Sequence, residues 1–246
     1  MNVKKHIPNI LTGFNLLCGL ISITMVLQGS FILASLFIFI AAVFDYLDGT
    51  AARLLDARSE LGKQLDSLAD VVSFGVAPGI IIFQLLYISC NGSCNILERL
   101  YITPYFALLI PICSAIRLAK FNIDPRQEET FIGLPTPAMA VFFASIPLVL
   151  FLQPHLFSVI RMDFMFDFFS NTRILVMLAV FFSYLMISDF RIFSMKFKSS
   201  KWKGNEVRYI FLFLSLSLVI LFSVSAIPLI LLVYLLLSMV FQKRIE

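Results

Sequence analysis

The chain has 246 residues and a net charge of +4, with 60% hydrophobic and 14% charged residues and 27 phenylalanines. Soluble globular proteins carry roughly 45–50% apolar and about 25% charged residues. This excess therefore needs lipid as its solvent, which excludes disorder, coiled coil, collagen-like repeats and a disulfide scaffold, and the small dispersed charge gives no case for a nucleic-acid partner.

A spanning helix needs about 20 mostly apolar residues. Runs of this kind predict an all-α integral membrane protein with eight spans, at 10–28, 31–54, 65–89, 104–121, 137–152, 173–188, 207–223 and 224–241. The first run follows Lys4-Lys5-His6 without a small-x-small cleavage site, so it reads as a retained helix and not a signal peptide. Only a short turn around Ser223–Pro228 separates the last two, which predicts a tight helical hairpin. With eight spans both termini share a side, and sixteen of the nineteen Lys and Arg fall on it: Lys4, Lys5, Arg53, Arg58, Lys63, Arg117, Lys120, Arg126, Arg191, Lys196, Lys198, Lys201, Lys203, Arg208, Lys243 and Arg244. Arg99, Arg161 and Arg173 fall opposite. Cytoplasmic loops carry the excess of cations, so the termini and even-numbered loops are expected in the cytoplasm. The chain divides into a core at 1–190, a basic loop at 191–206 that suits anionic headgroups, and a hairpin with a tail at 207–246.

Charges at membrane depth are costly and mark function. Asp45 and Asp48 sit at the cytoplasmic end of the second span, three residues apart, and Asp66 and Asp70 at the start of the third, four apart. Either spacing puts a pair on one helix face, and the short connection lets the two faces meet. Four carboxylates in a low dielectric repel one another, and two divalent cations balance their charge. Such hard oxygen ligands suit magnesium, manganese or calcium, and no Cys/His set argues for zinc. Helix capping, or pairing with Arg53, Arg58 and Lys63, accounts for a single Asp but not for four facing each other. The small residues Gly49, Ala52, Ser59 and Gly62 let a bulky group approach the backbone, while Arg53 offers a fork for phosphate oxygens. The set describes a site for a lipid-embedded pyrophosphate, where two metals can clamp an in-line displacement.

Residues 45–70 read D-x2-D-G-x2-A-R-x8-G-x3-D-x3-D, with Asp45, Asp48, Gly49, Ala52, Arg53, Gly62, Asp66 and Asp70 at the fixed places. This resembles the signature of the CDP-alcohol phosphatidyltransferase family, membrane enzymes that move a phosphatidyl group from a CDP-lipid to an alcohol and release CMP. Further stretches resemble the bacterial-type serine-using branch: Ile7-Pro8-Asn9-Ile10-Leu11-Thr12 with Asn15-Leu16-Leu17-Cys18-Gly19, then Ser73-Phe74-Gly75-Val76-Ala77-Pro78, Arg117-Leu118-Ala119-Lys120-Phe121-Asn122 and Phe131-Ile132-Gly133-Leu134-Pro135-Thr136-Pro137. The last hundred residues carry no such motif and resemble the helices this branch adds to a six-helix core.

The resemblance implies CDP-diacylglycerol and L-serine as substrates, two magnesium or manganese ions, and a bacterial inner membrane with the site at its cytoplasmic face. It also implies a homodimer, the usual state in the family. Asp45, Asp48, Asp66 and Asp70 would hold the metals, with Asp70 also the general base. Gly49, Ala52, Arg53 and Ser59 would hold the CDP part, and Asn9 and Thr12 would touch the nucleotide or its phosphates. Arg117 would take the serine carboxylate in a bidentate grip, or serve only as a positive-inside anchor, and Asn122 would take the amino group. Arg117, Lys120 and Arg126 would equally suit a phosphorylated acceptor such as glycerol 3-phosphate or inositol phosphate. An ion-coupled transporter fits less well, because the acids gather at one cytoplasmic level and not at the midplane. Cys90 and Cys94 flank Asn91-Gly92-Ser93, a sequon of little weight in a bacterium, on the side where both a disulfide and free thiols are permitted. His6 and His155 are assigned no role.

Overall fold

The computed structural model describes residues 6–57, 59–90, 102–124, 131–152, 163–192 and 205–240. Helix α1, Ile7–Leu27, carries Pro8 in its first turn, where no backbone donor is needed. It closes on Gly29 (φ +80°), with the Gly29 N–H donating to Val26 O and the Ser30 N–H to Met25 O at 3.0 and 2.9 Å. This paired closure needs a left-handed residue, which glycine adopts without strain. The reversal lays α2, Phe31–Leu54, back along α1, where Ser22 Oγ donates to Ala34 O at 2.7 Å.

Helix α3 runs Glu60–Cys90 and widens into a π turn over Val71–Val76. Its small residues set its neighbours: a Cβ on Gly75 would lie 3.0 Å from Ser114 Cβ, and one on Gly79 2.9 Å from Pro111 Cδ. Both partners belong to α4, Thr103–Ile123, which opens as a tight 3-10 turn through Pro104. Helix α5, Thr136–Leu152, is followed by the short α6, Asp163–Ser170, and by α7, Thr172–Ile187, bent 79° from α6. At that bend the Asn171 side chain accepts from the N–H groups of Arg173 and Ile174. Phe142, Phe143 and Phe182 interlock between α5 and α7, with ring centroids 4.4 and 5.6 Å apart.

Two short strands, β1 (Phe131–Ile132) and β2 (Arg191–Ile192), pair antiparallel and tie the approach to α5 to the end of α7. Gly133 (φ +76°) follows β1 and donates to Phe190 O at 2.8 Å, and a Cβ there would lie 2.5 Å from Met186 O. Helices α8, Glu206–Phe222, and α9, Ala226–Val240, turn on Ser223 (φ +52°). They fold back on each other, since the Phe211 and Tyr234 rings lie 5.6 Å apart. That is the expected hairpin.

Helices occupy all the places where spans were expected. Among the described residues five helical stretches are long and apolar enough to cross a membrane, or six with the bent α6–α7 pair. The expected eight are not reached by length, because α5 is short and the hairpin of α8 and α9 forms one apolar stretch. Leu17, Leu20, Leu33, Leu36, Ile40 and Phe213 are exposed on outer faces, as lipid contact requires. The chain is an integral, largely helical membrane protein. Lys4, Lys5, Arg58, Arg99, Arg126, Arg161, Lys196, Lys198, Lys201, Lys203, Lys243 and Arg244 lie outside the described residues, as do Cys94, the sequon, His155 and most of the basic loop.

Candidate metal and phosphate site

The site forms where the C-terminal end of α2 meets the N-terminal half of α3. Ser59 caps α3, accepting from the Gly62 N–H at 3.0 Å, so the helix starts before the apolar run that predicted it. This start sets Asp66 and Asp70 one turn apart, opposite the Asp45–Asp48 face. Carboxylate oxygens of Asp45, Asp48 and Asp66 all lie within 4.8 Å of one another.

The first helix organises this cluster from the side. Thr12 Oγ1 donates to Asp48 Oδ2 at 2.7 Å and Asn15 Nδ2 to Asp70 Oδ1 at 3.2 Å. Asp70 is buried, only 7% exposed, and feels the charges of Asp45, Asp66 and Asp48. Asp66 Oδ1 is buried and has no hydrogen-bond partner among the described residues. Like charges packed this closely, with an unpaired buried oxygen, call for a bound cation. The all-carboxylate donor set is the hard oxygen type that divalent cations of the magnesium and manganese class prefer. The Asp45, Asp48 and Asp66 cluster can chelate such an ion.

Beside the carboxylates opens a cavity of about 530 Å³. Of the residues expected at the CDP part, Asn9, Thr12, Gly49, Ala52 and Ser59 line it. Arg53 does not: it is exposed, and its guanidinium donates to Thr50 Oγ1 at 3.3 Å. The start of α3 forms one wall through Ser59, Glu60 and Gly62, so the positive end of that helix faces the space. Gly62 leaves room there, since a Cβ on it would lie 3.0 Å from Asn9 Oδ1. Lys63 also lines the cavity, a cation whose sequence position suggested only a topology marker or a partner for a single Asp. Its place one turn into a capped helix was the signal that could have found it.

Arg117 lies deeper, buried on α4. Its guanidinium donates to Thr136 Oγ1 at 3.0 Å, sits 5.5 Å over the Phe121 ring and feels the charge of Asp70. Its Nε has no partner among the described residues. Asn122, on the same helix, donates to Ser67 Oγ at 2.8 Å and accepts at its backbone oxygen from Lys63 Nζ at 3.3 Å.

Comparison with known proteins identifies the family. The profile described as CDP-alcohol phosphatidyltransferase matches residues 5–185. A CDP-diacylglycerol–serine O-phosphatidyltransferase of Helicobacter pylori (strain ATCC 700392 / 26695) is 32% identical over 213 residues, covering 85% of this chain and 80% of that protein. One from Bacillus subtilis (strain 168) is 39% identical over 137 residues, 54% of this chain and 70% of its own length. An archaetidylserine synthase of Methanothermobacter thermautotrophicus is 35% identical over 153 residues, 59% of this chain and 61% of its own. The profile match spans well over half of the chain, and so the chain belongs to the CDP-alcohol phosphatidyltransferase family.

Proposed function

We propose that the chain is a phosphatidylserine synthase, transferring the phosphatidyl group of CDP-diacylglycerol to the hydroxyl of L-serine and releasing CMP. The observation that carries this reading is the junction of three carboxylates with a cavity walled by a helix N-terminus. Relatives named for the serine reaction from three lineages support the acceptor.

Asp45, Asp48, Asp66 and Asp70 would hold two magnesium or manganese ions. When bound, such ions neutralise pyrophosphate charge and favour the attacking and leaving oxygens of an in-line displacement. The chain's own residues do the rest. Asn9, Thr12, Gly49, Ala52 and Ser59 shape the space for the CDP part, and the start of α3 and Lys63 offer positive charge to its phosphates. Arg53 reaches them only by swinging away from Thr50. Arg117, with an unused N–H donor and a fork already oriented by Thr136, receives the serine carboxylate. Asn122, tied to Ser67, serves the amino group only if that bond opens.

Asp70 takes the proton from the serine hydroxyl as its oxygen attacks the phosphorus that bears diacylglycerol. A new P–O bond to serine forms, the P–O bond to the bridging oxygen breaks, and CMP leaves with that oxygen. General base catalysis of this type contributes about 10²–10⁴-fold. In this reading the chain crosses the membrane eight times, with its termini and the site at the cytoplasmic face.

The test is CMP release by the detergent-purified chain given CDP-diacylglycerol, manganese or magnesium, and one alcohol at a time. Release that depends on L-serine is expected. Release driven by glycerol 3-phosphate or inositol phosphate instead would overturn the acceptor and keep the reaction class.

A further inference from the structure

Two stretches of the branch-type pattern, Asn15–Gly19 and Ser73–Gly75, have no task in the reaction so far, yet they meet beside Asp70. Ser73, inside the π turn that begins one residue after Asp70, donates through Oγ to the backbone oxygen of Asn15 at 2.9 Å. Gly19 lets the helices close on this contact, since a Cβ there would lie 2.7 Å from Ser73 Cα. The Asn15 side chain is fully buried, and its Nδ2 donates to Asp70 Oδ1 at 3.2 Å. Its Oδ1 is buried without a donor among the described residues. A buried amide with its acceptor unused is a worse choice for packing than leucine. Where a local rule is broken in this way, function is the usual reason.

We propose that Asn15 is a positioning residue for phosphatidyl transfer, which fixes the rotation of the Asp70 carboxylate through its amide N–H and leaves Oδ2 for the acceptor hydroxyl. The backbone of Asn15 is clamped by Ser73, so α1 and the π turn form one rigid mount for the base. The proposal rests on the reading of Asp70 as base given above. It explains why Asn15, Gly19 and Ser73 occur together: the amide, the gap and the clamp are parts of one contact.

The experiment compares wild-type, Asn15→Leu and Asn15→Ser proteins for serine-dependent CMP release, KM for CDP-diacylglycerol, half-activating manganese concentration and melting temperature in detergent. Loss of a hydrogen bond to a charged group predicts a kcat lower by about ten- to a hundredfold. KM for the lipid and the melting temperature should stay as in the wild type, and the loss of kcat should persist at saturating manganese, because Asp70 also stands among the residues that would hold the ions. Should Asn15→Leu fail to fold, the smaller Asn15→Ser carries the same readouts. A second arm places Asn15→Leu in an Asp70→Glu background, where the carboxylate is already displaced by a methylene, and the substitution should then cost less. Unchanged kcat, an equal cost in both backgrounds, or a kcat loss that only follows falling melting temperature and lipid affinity would each overturn the proposal. Wild-type protein that releases no CMP with serine overturns the parent reading as well, whereas active wild type with an indifferent Asn15→Leu overturns this inference alone.

Discussion

Replacing Gly19 by alanine tests how closely the first helix must approach the catalytic one. The new Cβ would lie 2.7 Å from Ser73 Cα, against the roughly 3.5–4.0 Å at which carbon atoms pack without repulsion. Because the obstacle is backbone, relief requires α1 and α3 to part by about 1 Å, which also stretches the bond from Asn15 to Asp70. Overpacking of this kind costs about 1–3 kcal/mol, partly offset by the ~1 kcal/mol that alanine gains over glycine inside a helix. The net loss of stability is therefore small, at most about 2 kcal/mol. Misplacing a catalytic group by about 1 Å can cost on the order of a hundredfold in rate. Gly13→Ala is the internal control, since no atom lies within 4 Å of its Cβ position on the same helix. CMP-release kinetics and thermal melts of both proteins should give a large drop in kcat for Gly19→Ala and none for Gly13→Ala. Equal kcat in the two variants would refute the argument that this contact sets the base.

Thr12→Val keeps the volume of a buried side chain but removes the 2.7 Å bond to Asp48; a lost bond to a charged group is worth about 1.5–3 kcal/mol, so half-activation should need about ten- to a hundredfold more manganese, as a metal titration of activity would read. Arg117→Lys loses the fork that Thr136 orients; KM for serine should rise about tenfold or more while KM for the CDP-lipid holds, as saturation kinetics would read. Asp70→Asn should leave folding and CDP-lipid binding intact and abolish turnover, and near-normal turnover would remove Asp70 from the role of base.

Three of the four carboxylates expected together were legible because their meeting depends on periodicity: the spacing of three on α2 and the short connection to α3 bring Asp45, Asp48 and Asp66 within reach of one ion, while Asp70, one turn further on, lies outside that group. Helix positions were legible for the same reason, through the length of the apolar runs. The π turn at Val71–Val76 was not, since it arises from how Ser73 and Gly75 seat against α1 and α4 and not from a local preference of the sequence. Partner choice was equally hidden. Arg53 was expected on phosphates and points to Thr50, Asn122 was expected on the serine amino group and bonds Ser67, and Lys63 faces the cavity. Each of these depends on side-chain packing between helices that no single helix encodes. The β1–β2 pair escaped notice because two residues per strand give no alternation to read. The number of crossings was the weakest inference, because apolarity marks a helix without saying whether a bent pair or a hairpin crosses once or twice.

In the proposed mechanism the serine oxygen attacks the phosphorus bearing diacylglycerol. Serine carrying ¹⁸O in its hydroxyl group, supplied to the purified chain with CDP-diacylglycerol and manganese, tests this directly by mass spectrometry of the products. Phosphatidylserine that retains the label in its phosphoester bridge is expected, together with unlabelled CMP. Label in a cytidine-containing product beside phosphatidic acid would mean attack on the other phosphorus, and unlabelled phosphatidylserine would mean cleavage of the serine C–O bond; either result would contradict it.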